Sequence, residues 1–239
     1  MENVILATSD DGTIVYQKLT PKYLKQAAQT TKEILFSQGT IGRSFGVPED
    51  PEALAELEQL PLEAAKDGMS IIAVDKTTDK IAGVSINKFL VKSQPFFQKF
   101  LATFKNSKSR QYVDYILTTY EFFDIFEHCG VDCVMQILFL STSVEYRKRG
   151  IATKLCELSV KHAQKLRDGV NVKEAVDGGK VGLEPVAEVV YAMFTSPISQ
   201  KIGRELEFEI AKRRSVKKSG ESQGEAPVMT LEYKVLHKS

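Results

Sequence analysis

The chain has 239 residues, 43% hydrophobic and 26% charged, a balance that can bury a large core without disulfide or metal staples. Its 32 Lys and Arg against 31 Asp and Glu leave a formal charge of +1, which excludes a strong overall pull toward nucleic acid. The opening MENVILATSDDGT does not read as a secretory signal, and no run approaches the ~20 apolar residues of a membrane span. Three cysteines, Cys129, Cys133 and Cys156, suit a reducing, cytoplasmic compartment.

No repeat or linker divides the chain, so one domain is expected over residues 1–239, with its core at about 13–236. Residues 13–19 alternate apolar and polar and predict a strand. Thr20 and Pro21 supply an N-cap and a first-turn proline for a helix over 21–36. After a turn-rich stretch, a second helix is expected over 51–66, interrupted near Pro61. Residues 70–76 and 80–89 read as a strand hairpin. Helical apolar spacing marks 95–104 and 112–127, whose aromatics form a packing face. The nearly continuous apolar run 133–142 predicts a strand buried on both faces. A helix from about Gly150, a strand over 188–194 and a short helix over 198–205 follow. Residues 212–226 read as a charged, solvated loop, and 228–236 as a closing strand.

The chemistry concentrates after the buried strand. A tight turn there holds Arg147, Gly150 and Ala152 in an R-x-x-G-x-A pattern at a helix start. Glycine lets the backbone turn and come close to a ligand. The first helical N–H groups lack intrahelical acceptors and favour an anion. Arg147, Lys148 and Arg149 add positive charge, so a pyrophosphate fits. The turn is neither a Walker A loop nor a dinucleotide fingerprint. His128, Cys129 and Cys133 lack a zinc spacing and a fourth ligand, so no metal is expected.

Residues 140–155, LSTSVEYRKRGIATKL, resemble the acetyl-CoA-binding motif of the GNAT N-acetyltransferases. Residues 71–88, 121–143 and 189–209 resemble the hairpin before that motif, the helix and strand leading into it, and the later strand and helix beside the cofactor tail. The order is most similar to the animal, insect-type arylalkylamine N-acetyltransferase-like branch. The resemblance implies an α/β GNAT fold: one domain with a central twisted mixed sheet and helices on both faces. It implies acetyl-CoA as cosubstrate and a small primary amine as acceptor, with no metal, nucleic acid or membrane partner. The cofactor residues it implies are Leu140, Ser141, Thr142, Arg147, Lys148, Arg149, Gly150, Ile151, Ala152 and Thr153.

Proton handling departs from the family. The family's glutamate base, in an F-x-D-E-P-L segment, corresponds to Gly39, and its tyrosine acid to Ile198. Hydroxyls remain at Thr195 and Ser199, as catalytic groups or helix caps. Glu33 and Glu49 flank the altered segment and are the candidate bases acting through water, against a reading as solvated surface carboxylates. Cys156 suggests an acyl-enzyme but lies inside a helix. Two other readings stay open: a CoA-binding module with little turnover, and a nucleic-acid role for Lys212, Arg213, Arg214, Lys217 and Lys218.

Overall fold

The computed structural model describes residues 5–215 and 228–238. Its strands are β1 (Ile5–Thr8), β2 (Ile14–Lys18), β3 (Ile71–Asp75), β4 (Lys80–Val91), β5 (Cys133–Thr142), β6 (Val189–Phe194), β7 (Glu209–Ser215) and β8 (Val228–Val235). They form one sheet in the order β1-β2-β3-β4-β5-β6-β8-β7. Only β5 and β6 pair in parallel; every other neighbour is antiparallel. Their connection runs through α8 (Ile151–Arg167), as a parallel pair requires a long crossover.

Helices cover both faces. One face packs Cys156, Ala163 and Leu166 of α8 against Met135, Ile137 and Val190. The other carries α1 (Leu24–Thr31), α2 (Thr40–Ser44), α3 (Pro51–Leu57), α4 (Gln59–Ala65), α5 (Phe96–Leu101), α6 (Ser107–Phe122) and α7 (Ile125–Cys129). There Phe36, Leu57, Val113 and Ile116 meet Val84, Val134 and Tyr191. The central strand β5 is buried on both faces, as its apolar run dictates. A polar pin fixes α8 on β4: Ser159 Oγ lies 3.0 Å from Ser85 Oγ and accepts from Asn87 Nδ2 at 3.0 Å, while that amide also reaches Met69 O at 2.8 Å. With every member buried and bonded, the pin orients the helix rather than costing stability.

Several boundaries differ from the sequence expectations. Residues 5–8 form β1, paired to β2. The helix expected over 21–36 is a 3₁₀ turn (Pro21–Tyr23), then α1, then a π-helical turn (Lys32–Ser37). The turn-rich stretch after it contains α2. The interruption expected at Pro61 falls at Glu58, because Pro61 sits in the first turn of α4, where no N–H is needed. The helix over 112–127 breaks at Phe123, which is extended (φ −153°), and Asp124 caps α7 by accepting from Glu127 N at 3.0 Å. The expected loop at 212–226 is corrected in its first part. Lys212, Arg213 and Arg214 lie on β7, whose charges suit an edge strand; Lys217 and Lys218 lie outside the described residues. No helix among the described residues is long and apolar enough to cross a membrane.

Candidate active site

A cleft arises from strand register. β5 pairs with β6 only from Val134↔Val189 to Ile137↔Ala192. Beyond that point β6 continues beside β8, through Met193↔Leu231 and Phe194↔Thr230. β5 continues beside β4, and its residues Leu138 to Thr142 have no ladder partner toward β6. A bulge coincides with the parting: Ile86 faces Phe139 while Asn87 faces Ile137, which leaves Leu138 as the extra residue. A bulge bends its strand and increases local twist, so the sheet splays here. The open edge exposes backbone groups that a ligand can pair with. The hydroxyls of Ser141 and Thr142 at its end are buried and lack hydrogen-bond partners.

Past Thr142 the chain is held tightly before it turns. Ser143 N donates to Ala82 O at 2.9 Å, and Tyr146 Oη donates to Asp75 Oδ2 at 2.9 Å. Lys148 (φ +63°) and Gly150 (φ +72°) are both left-handed. Gly150 is the N-cap of α8 and offers no side chain to its N–H groups. The amides of Ile151, Ala152 and Thr153 therefore remain available at the positive end of a long helix. Ile151 itself is buried, so it contributes backbone alone.

The cations separate. Arg147 is exposed, with Nε 3.4 Å from Thr142 O beside the cleft. Lys148 is also exposed. Arg149 turns to the β1–β2 hairpin instead, donating to Asp11 Oδ2 at 2.7 Å and Thr13 Oγ1 at 2.5 Å. Thr153 Oγ1 reaches Glu205 Oε2 of α9 (Pro197–Glu205) at 3.5 Å.

Ser196 caps α9, and Ser199 completes a capping box with it. Ser199 Oγ accepts from Ser196 N at 3.1 Å and donates to Ser196 O at 3.0 Å, so this hydroxyl is engaged in the cap. Thr195 is exposed just before the cap, and Ile198 is 77% exposed. Glu33 is exposed on the π turn and accepts from Gln29 Nε2 at 2.5 Å; Glu49 is exposed before α3. The structure does not join Glu33 or Glu49 to the open edge by any hydrogen bond.

On the face opposite α8, the altered segment packs over the cleft. Phe36 lies edge-on to Phe139 (5.4 Å) and Tyr112 (5.2 Å). Phe45 meets Tyr115 at 6.2 Å, and Tyr115 Oη donates to Met229 Sδ at 3.2 Å.

Sequence reasoning missed two buried polar features nearby. Tyr120 Oη donates to Gln136 Oε1 at 2.7 Å, while Gln136 Nε2 has no hydrogen-bond partner. Burial pushes the phenols of Tyr120 and Tyr191 upward, so they stay neutral. The second is Glu232, 1% exposed on β8, which accepts from Thr230 Oγ1 at 2.7 Å and leaves Oε2 unpaired. The alternation Thr230-Leu-Glu232 was the available signal, since it puts both polar residues on the face away from Leu231.

Burial raises the Glu232 carboxyl above its usual range, against opposing help from Thr230, Arg204 and Arg213. The folded state therefore holds this proton more tightly than the unfolded chain, and stability falls as pH rises above about 4.5. Glu232→Gln is expected to melt about 2–4 °C higher at pH 7.5, with the difference vanishing below pH 4.5. A pH-independent difference in melting temperature would refute that assignment.

Cys133 and Cys156 are buried, which pushes both thiols up to about 12 and leaves neither as a thiolate near neutrality. His128 packs at a tilt against Phe123 (4.9 Å) and edge-on to Tyr233 (5.3 Å). Among the described residues, no three His, Cys, Asp or Glu converge on a metal position.

No family model matches the chain, and no curated protein does. Solved structures do. Arylalkylamine N-acetyltransferase 2 from Aedes aegypti has a TM-score of 0.70 at 20% identity, over 94% of this chain and 99% of that one. The Drosophila melanogaster polyamine N-acetyltransferase reaches 0.71 at 13% identity, over 93% and 100%. Arabidopsis thaliana NAA60, in complex with acetyl-CoA, reaches 0.51 at 16% identity, over 94% and 100%. The likeness runs over nearly the whole length of each of these chains, and this chain has the GNAT N-acetyltransferase fold.

Proposed function

We propose that the protein is an acetyl-CoA-dependent N-acyltransferase acting on a small, arylalkylamine-like primary amine. The observation that carries this reading is the open edge of β5 ending at the turn around Gly150. The fold neighbours named arylalkylamine and polyamine N-acetyltransferases support the amine class. The free thiols fit a reducing, cytoplasmic setting.

Acetyl-CoA supplies an activated acyl carbon. In this reading the amides of Ile151, Ala152 and Thr153 bind its pyrophosphate, with Arg147 and Lys148 as cations. The backbone from Leu140 to Thr142 pairs with the pantetheine arm, and a backbone N–H at the splay faces the thioester oxygen as charge develops there. The amine attacks the thioester directly, and the thiol leaves.

The weak point is the proton. An alkylamine with a pKa of about 10.4 is neutral in only about one molecule in a thousand at physiological pH. General-base help is typically worth ~10²–10⁴-fold. Gly39 and Ile198 supply none, and Ser199 is held in its cap. These positions favour a second reading, a CoA-binding module with little turnover.

Thiol release from acetyl-CoA across arylalkylamines, polyamines, weakly basic arylamines and amino acids, between about pH 7 and 9.5, separates the two. Turnover rising with pH supports the enzyme; saturable acetyl-CoA binding without turnover supports the module. Arg147→Ala is expected to weaken acetyl-CoA binding about tenfold by calorimetry, the scale of one charge-assisted hydrogen bond. Arg149→Ala should lose less, because Asp11 and Thr13 hold its guanidinium. The reverse order of losses would refute this assignment of the cations.

A further inference from the structure

We infer that the acyl donor extends beyond acetyl: the geometry points to a cavity beneath α6 as the seat of a medium-chain acyl tail, an inference that rests on the transfer proposed above. The cavity has a volume of about 260 Å³ and is walled by Leu90, Tyr120, Phe123, Phe126, Met193 and Leu231. It lies on the sheet face opposite α8, where Tyr191 and Leu231 belong to the core under α6.

Register fixes its place relative to the cleft. Ala192 is the last β6 residue paired with β5, so Met193 stands where the strands part, with Leu231 directly opposite it. At the other end, Leu90 pairs with Val134 near the start of β5. The cavity therefore runs from the apex of the splay back over the paired half of β5 and β6. The phosphate turn lies at the opposite end of β5, beyond Thr142. A pantetheine arm lying in the splay points its sulfur at the apex, and an acyl chain attached there continues into the cavity.

The acceptor has a separate approach. The altered segment and α6 meet over the open half of the splay, through Phe36 on Phe139 and through Tyr115 on Met229. The inner wall of the cavity also suits a hydrocarbon better than an ammonium group. It carries neutral phenols, Tyr120 and Tyr191, and its charged lining residues, Lys92 and Asp124, belong to the β4 exit and the α7 cap. At ~30 Å³ for each water-sized group, the volume holds about eight methylene-sized units. The reaction balance is that of acyl transfer. The amine nitrogen bonds to the acyl carbon as the carbon–sulfur bond breaks, and the proton lost from nitrogen ends on the CoA sulfur.

The test is calorimetric binding of acetyl-, butyryl-, hexanoyl-, octanoyl- and dodecanoyl-CoA to the full chain, followed by thiol release with each. Affinity is expected to rise about two- to fourfold per added methylene and to level off near eight carbons. Met193→Trp and, separately, Thr119→Leu, each placed on the cavity wall, should cut the octanoyl-to-acetyl affinity ratio at least tenfold. If one variant does not fold, the other carries the comparison. Bound acetyl-CoA with no gain from longer chains overturns this inference and leaves the proposed function standing. A chain-length gain untouched by either filling, or a loss confined to the KM of the amine, also overturns it. Absence of any CoA binding overturns both.

Discussion

Gly42→Ala is expected to destabilise the protein by about 3 kcal/mol, lowering the thermal midpoint by roughly 6–12 °C. Alanine in a helix normally gains about 1 kcal/mol over glycine, so the sign here is decided by contact. A Cβ at Gly42 would stand deep inside the van der Waals radius of the Phe36 carbonyl oxygen and 2.8 Å from its carbonyl carbon. Those atoms are backbone, and Phe36 cannot retreat, being fully buried against Tyr112 and Phe139. Gly39 meets the same constraint, with its Cβ against the Leu35 carbonyl oxygen and 3.1 Å from the carbonyl carbon. The two glycines seat α2 on the π turn. A glutamate at position 39 therefore needs a different backbone from the one this sequence adopts, and Gly39→Glu is expected to destabilise the chain without restoring a base. Urea unfolding of Gly42→Ala with an unchanged midpoint would show that the segment repacks freely, and would reopen position 39 to a carboxylate.

That constraint was invisible in the sequence, where the residues after Phe36 read only as turn-rich. The features that were legible carry strong local or periodic signals. The run 133–142 is so uniformly apolar that only a central strand can use it, and β5 has those bounds. The helix after Gly150 combines a left-handed cap with a regular apolar stripe, both decided within a few residues. The failures have tertiary causes. β1 is four residues long and is a strand because β2 offers it a ladder. β7 is rich in cations, so composition pointed to a loop, yet β8 supplies its hydrogen bonds and solvent covers its side chains. Arg149 looked equivalent to Arg147, but Asp11, remote in sequence, decides its direction. The cavity draws on β4, α5, α6, α7, β6 and β8, and no local pattern announces a void assembled from six elements.

Acid is expected to unfold the protein through His162 well before the carboxylates are exhausted. This histidine is 5% exposed on α8, with Nδ1 3.0 Å from Leu158 O, the fit of a neutral ring donating one proton. Burial lowers its pKa from 6.5 to about 4, against the Leu158 hydrogen bond, and Lys18 and Lys165 add to the lowering. Above pH 6.5 the ring is neutral folded or unfolded and affects nothing. Between 6.5 and about 4 the unfolded chain takes up a proton that the native state refuses, so stability is lost as pH falls through that window. The gap corresponds to roughly 3 kcal/mol. Asp67 and Glu232 work the other way, since burial raises both and the native state keeps their protons. The diagnostic quantity is therefore the difference between wild type and His162→Gln, which cancels those groups. Relative to the wild type, the variant is expected to gain roughly 6–12 °C in melting temperature between pH 6.5 and 4. Parallel curves for the two proteins would remove His162 as the acid trigger. The consequence reaches the cleft, because α8 begins at the turn proposed to bind phosphate. A loss of acetyl-CoA binding in acid should follow the unfolding curve and shift with it in His162→Gln. A loss that stays at its wild-type pH in the variant would instead assign the acid limit to groups at the site itself.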